Sequence, residues 1–145
     1  MLQEFIASGI IGPIRLDLSK REVRSILGDA QAKSDRRKER ELWKYDDLQV
    51  GFYQDMVYFI GVYVSDDSIR LPPPLVFDVH ILAQIMRLED TKKFLLANEM
   101  EFDVNDKLTF DDQTCLRLVG ATGAEVHLVF TDERLYSIQI AKHSD

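Results

Sequence analysis

Few side chains in this chain are of the kind that do chemistry, and their spacing limits which chemistry is open to them. His80, His127 and His143 lie far apart, with none of the short ligand spacings of a zinc site. Cys115 is the single cysteine, so it forms no internal disulfide. It sits among Thr114, Leu116 and Leu118 with no His-Asp or His-Asn pattern beside it, and reads as a buried strand thiol rather than a nucleophile. The acidic pairs Asp46-Asp47, Asp66-Asp67 and Asp111-Asp112, and the cluster Glu99, Glu101, Asp103 and Asp106, offer oxygen ligands. Asp103–Asp106 lacks the glycine and terminal glutamate of a calcium loop. Solvated turns account for these carboxylates, with a collective use as a negative face. The expectation is therefore no catalytic residue, no metal and no cofactor: not an enzyme.

The aromatic residues carry the stronger signal. Leu48, Val50 and Phe52 alternate with Gln49, Gly51 and Tyr53, the period of a half-buried strand. Trp43, Tyr45, Tyr53 and Tyr63 share the odd parity of Gln49. If Leu48, Val50 and Phe52 face the core, these four point the other way and form a platform for a protein partner. Asp46 and Asp47 lie beside them, so the expected partner-binding set is Trp43, Tyr45, Gln49, Tyr53, Tyr63, Asp46 and Asp47. The competing account is a second core layer, with a helix or the other half of the chain over the rings.

Composition narrows the partner. The 145 residues are 46% hydrophobic and 30% charged, within the range of a folded chain with one compact domain or two small halves. There is no apolar run of membrane-spanning length, and the N-terminus lacks the basic start and long apolar run of a signal peptide. A cytoplasmic location is expected, away from membranes. A net charge of −7 repels nucleic acid and favours a basic protein partner. Residues 33–44 run against that trend, with six Lys and Arg against three Asp and Glu. They read as an exposed loop or a solvated helix extension; the basic part, Lys33 to Arg40, has contact with phosphate or an acidic protein as its alternative, which the interleaved Asp35, Glu39 and Glu41 weaken.

The elements that would position these residues come in two similar sets. The stretch from Leu48 to Val62 aligns with Val126 to Ile140 at a constant offset of 78, placing Phe52, Tyr58 and Ile60 on Phe130, Tyr136 and Ile138. Leu2–Ser8 reads as a short helix ended by Gly9. Ser19 and Glu22 form a capping box before a helix with Val23, Ile26 and Leu27 on one face, closed by Gly28. Phe77 to Met86 and Glu89 to Met100 read as the helices of the second half. Strands are expected at Leu108–Phe110, Thr114–Val119, Val126–Phe130 and Leu135–Ala141, with Gly120 and Gly123 in a turn. Arg70–Leu75, with three consecutive prolines, reads as a stiff linker. The expected fold is α+β, two tandem repeats, each of two short helices followed by an antiparallel meander: 1–69, the linker 70–75, and 76–145. Beyond Gln54-Asp55 the register is open. A three-residue loop turns Tyr58, Ile60 and Val62 to the core, whereas a loop of two or four turns Val57 and Phe59 there.

The capped segment Ser19–Gly28, followed by a hairpin with Leu48, Val50 and Phe52 on one strand and Val57 and Ile60 on the next, resembles a known unit. It is similar to the helix-helix-strand repeat of the small outer-membrane assembly lipoproteins and to the tandem repeats of the beta-lactamase inhibitory protein family. In the latter, two repeats join their sheets into a concave surface that clamps an enzyme. The chain departs from both in having neither a lipoprotein signal cysteine nor disulfide pairs. The resemblance implies a protein-binding scaffold of bacterial type. Together with charge and aromatics, it gives the expectation of a non-enzymatic binding module, an immunity or inhibitor protein covering a basic site. The alternative is a small-molecule-binding sensor or regulatory domain with a pocket between helices and sheet.

Overall fold

The computed structural model describes residues 5–6, 11–34, 37, 39–76, 78–119 and 124–142. The expectations for Leu2–Ser8 as a whole, Gly9, Phe77, Gly120, Gly123 and His143 rest wholly or partly on residues outside that set.

Ser19 caps the first helix, α1 (Lys20–Leu27). Its hydroxyl accepts from the Glu22 amide, the Glu22 carboxylate accepts from the Ser19 amide, and Gly28 follows at φ 79°. Four strands come next: β1 (Ala32–Lys33), β2 (Arg40–Tyr45), β3 (Leu48–Tyr53) and β4 (Met56–Tyr63). Two helices open the second half. In α2 (Val79–Gln84) the Asp78 carboxylate caps the His80 and Ile81 amides, and α3 (Leu88–Ala97) follows closely. The chain ends in β5 (Asp103–Val104), a 3-10 turn (Asp106–Leu108), β6 (Gln113–Val119), β7 (Glu125–Thr131) and β8 (Arg134–Ala141). Leu108–Phe110, expected as a strand, is thus mostly turn, held by Asn105 accepting from the Lys107 and Leu108 amides. Residues 33–44, expected as loop or helix, instead contribute the end of β1 and most of β2.

Two helix-helix-meander repeats do not describe this molecule. The strands form one antiparallel sheet of eight, in the order β1-β2-β3-β4-β8-β7-β6-β5. Each half would leave a long edge strand with unpaired backbone groups. Pairing β4 with β8, from Phe59↔Ala141 to Tyr63↔Ser137, removes both edges and leaves only the two-residue strands β1 and β5 outermost.

The hairpins at the seam do correspond. Each turns through two residues with positive φ, Gln54-Asp55 and Asp132-Glu133, the backbone a two-residue hairpin needs. Each then has a register shift, after Gly51 in one and after Val129 in the other, again 78 residues apart. The shift leaves Tyr58 and Tyr136 as the extra residues. It also resolves the open register, since the core takes Val57 before the bulge and Ile60 and Val62 after it.

The three helices named here lie on one face of the sheet. Val23, Leu82, Leu88, Phe94 and Leu95 join the sheet residues Trp43, Val50, Phe52, Leu116, Leu128, Phe130 and Ile138 in a single buried cluster. Burying a side chain of this size stabilises the fold by about 1.5–3 kcal/mol, so this cluster fixes which face is covered.

Candidate functional site

The face turned away from the helices carries the side chains that remain to be explained. In the first half it presents Leu42, Gln49, Tyr53, Phe59 and Tyr63, with Tyr58 at the bulge. In the second it presents Cys115, Arg117, His127, Val129, Ser137 and Gln139.

Trp43 and Tyr45 are not on this face, which corrects the expected binding platform. Asp46-Asp47 is a two-residue turn, so Tyr45 pairs with Leu48 and Trp43 with Val50. Residues directly opposite across a ladder share a face, so the odd positions of β2 join the even positions of β3. Trp43 and Tyr45 are therefore core residues, 1% and 2% exposed. Trp43 packs on Phe52 at 4.6 Å between centroids, and its indole N–H donates to Glu41 at 2.9 Å. Lys20, Arg24 and Lys33 stand over its ring at 5.9, 5.3 and 4.5 Å. Glu41 also pairs with Lys20, a bond that holds its carboxyl below the usual range and ties α1 to β2. The Tyr45 hydroxyl donates to the Gly28 carbonyl at 2.8 Å.

Asp46 and Asp47 are occupied at the turn. Asp46 accepts from the Gln31 side chain at 2.8 Å, and Asp47 from the Arg70 amide at 2.7 Å. Of the seven expected residues, Gln49, Tyr53 and Tyr63 reach the open face. Tyr53 is 42% exposed, and Tyr63 is half-buried, edge-on to Tyr136 at 5.8 Å across the seam.

The basic segment from Lys33 to Arg40, which reads as loop or helix extension, places cations beside Tyr53 that the sequence alone does not put there. Arg40 opens β2 opposite Tyr53, and its guanidinium carbon lies 5.5 Å from the ring centroids of both Tyr53 and Tyr58. Arg37 is held beside it by paired backbone bonds, Arg37 amide to Arg40 carbonyl at 3.0 Å and the reverse at 2.8 Å. With Ser34, Glu41, Leu42, Tyr53 and Tyr58 these arginines line a groove of about 1020 Å³; the Glu41 carboxylate is engaged by Lys20 and the Trp43 indole. Counting the ladder back from a two-residue Asp46-Asp47 turn is the signal that finds them.

The matching face of the second half pairs its charges within itself. The Arg117 fork donates to Asp103 at 3.0 and 2.6 Å and lies 3.5 Å from Glu125. His127 Nε2 is 3.3 Å from the other Glu125 oxygen but outside hydrogen-bonding geometry, so the contact is electrostatic rather than a formed bond. Burial pushes the His127 pKa down, against the opposing pull of Glu125. The Cys115 thiol is pushed by burial up to about 11, so it stays protonated near neutral pH. Among the described residues no three His, Cys, Asp or Glu side chains converge, and no described helix is long and apolar enough to cross a membrane.

No family model matches the chain, and no curated protein does. Among solved structures it is similar to an extracellular protein containing an SCP domain from Bacillus anthracis str. Ames, at 12% identity and a TM-score of 0.48. The match covers 88% of this chain and 44% of that one, so the chain spans less than half the length of that protein.

Proposed function

We propose that the protein is a non-enzymatic binding module that holds a protein partner against the open face of its sheet, centred on the first hairpin and the β4–β8 seam. The observation that carries this is the aromatic and apolar surface on the face without helices. Tyr53, Met56 and Tyr136 are 42%, 40% and 51% exposed, with Tyr58, Phe59 and Tyr63 half-buried among them. Rigid amphipathic rings of this kind make strong interface anchors at low entropic cost. The resemblance read from Ser19–Gly28 and its hairpin points the same way, toward an inhibitor or immunity protein.

A photo-crosslinking side chain placed at Tyr53 or Tyr136, with Glu89 on α3 as the control position, tests this in host cells. One protein crosslinked from both open-face positions and not from Glu89, whose binding in purified form is lost in Tyr53→Ala, is the expected result. Equal crosslinking from Glu89, or no adduct, overturns it.

The second reading, a small-molecule sensor or regulatory domain, draws on the groove beside Arg40, whose volume suits a ligand of drug size. A metabolite that raises the melting temperature, with the rise abolished by Tyr58→Ala, would favour it.

A further inference from the structure

We propose that the groove between Arg37, Arg40, Tyr53 and Tyr58 receives a carboxylate side chain from an otherwise apolar segment of the protein partner. The inference rests on the open-face reading and reverses the sign of the partner's charge at this point.

Charge is distributed very unevenly along the chain. Residues 33–44 carry six Lys and Arg against three Asp and Glu, a net of +3, whereas the remainder carries twelve against twenty-two, a net of −10. Two of the three local carboxylates are engaged elsewhere. Glu41 takes Lys20 and the Trp43 indole, and Glu39 accepts from the Gln54 side chain at 3.0 Å. Among the described residues Arg40 has aromatic rings rather than carboxylates against its guanidinium. Arg117, on the same face in the second half, shows the alternative: its fork is already taken by Asp103, with Glu125 beside it.

A guanidinium laid against two rings keeps its planar N–H fork free to meet a carboxylate bidentately. Leu42, Tyr53 and Tyr58 provide apolar area for the neighbours of that carboxylate. The net of −10 on the rest of the chain disfavours a long polyanion, so nucleic acid and polyacidic tracts are poor occupants. One or two carboxylates on an apolar segment fit both the local cation pair and the distant repulsion.

The test is a titration of the full-length, isotope-labelled protein, followed by NMR amide shifts. The probes are an end-capped peptide of leucine and serine bearing a single glutamate, its glutamine and lysine counterparts, and inorganic phosphate. The glutamate peptide is expected to give saturable shifts at Ser34, Arg40, Leu42 and Tyr53, with none from the other probes. Arg40→Gln and Arg37→Gln should each weaken it, the former about tenfold. Arg15→Gln, which removes the same charge from an exposed position elsewhere, should change it by less than about twofold. Amide spectra of each variant report that the fold is kept. Equal weakening by Arg15→Gln, saturation by the glutamine peptide, the same shifts from phosphate, or no binding by the glutamate peptide would each overturn the proposal. If open-face crosslinks stand while the peptide fails, only the charge inference falls. If the peptide binds while the crosslinks fail, the groove holds an anion that is not the partner's, and the inference falls with the reading it rests on.

Discussion

The two hairpins that meet at the seam of the sheet share a backbone and differ on one surface. Phe52 and Phe130 are both fully buried at equivalent positions, and the bulge residue is a tyrosine in each. On the open face the correspondence ends. Gln49, Gly51, Phe59 and Gly61 in the first hairpin stand where the second has His127, Val129, Ser137 and Gln139. The first hairpin and its flanking β2 place rings and arginines there, whereas the second, with β6, closes a network of its own from Arg117, Asp103, Glu125 and His127. The inner face must match one common core volume and tolerates little change. The outer face has no such constraint, so one half can pair its charges internally while the other leaves rings and arginines exposed.

Core substitutions give the largest expected effect and test whether the two halves are equally structural. Trp43→Ala should cost about 3–5 kcal/mol, and Leu116→Ala, at the matching place in β6, about 2–5 kcal/mol, by chemical denaturation. Both should shift one cooperative transition, since β4 and β8 tie the halves together. Two separate transitions would break the single-sheet account. A loss under about 1 kcal/mol for Trp43→Ala would return that ring to the surface.

A smaller effect is expected on the open face itself. A Cβ on Gly61 would lie 2.9–3.0 Å from the rings of Phe59 and Tyr63, so Gly61→Ala must displace them. The expected cost is about 1–3 kcal/mol. Gln139→Ala, at the matching position, removes one bond to Ser137 and should cost about 0.5–1.5 kcal/mol. A reversed order would mean that the ring packing of the first hairpin is loose.

The smallest effect is a pH dependence confined to the second hairpin. Burial lowers the His127 pKa in the folded protein, so the unfolded chain takes up the proton first as pH falls. Stability from neutral His127 is fully present above its unfolded value of roughly 6.5 and is lost as pH falls through the lowered folded value. His127→Gln, which installs the residue found at the matching Gln49, should flatten this part of a melting series from pH 8 to pH 5. Identical slopes in wild type and variant would remove His127 from the titration.

Local structure was largely legible along the chain. The Ser19–Glu22 capping box, the turn at Gln54-Asp55 and the strand ranges of β6, β7 and β8 followed from spacing and residue type, as did the offset of 78 between the hairpins, whereas Val79, read on the buried face of its helix, is 60% exposed. The site was legible only in part. Parity within β3 places Gln49 and Tyr53 on the outer face; a two-residue turn reverses parity, and Tyr63 still joins them because the bulge at Tyr58 reverses it again, whereas no bulge separates β2 from β3 and Trp43 and Tyr45 fall on the core side. Arg40 lies in a segment that reads as loop or helix, and Tyr58 is the bulge residue, whose outward position no alternation predicts.

By itself, then, the sequence determined the quantities that depend on near neighbours: caps, turns, strand periods, the net charge of −7 and its inversion between 33 and 44. Those are set by contacts over a few residues and need no knowledge of the rest of the chain. Tertiary structure decided that the two meanders merge through β4 and β8, that Trp43 is core, and that Arg40 lies against Tyr53 and Tyr58. Each of these depends on strand pairing, and register is chosen by the burial of whole faces and the satisfaction of sheet edges, which no short window of sequence contains.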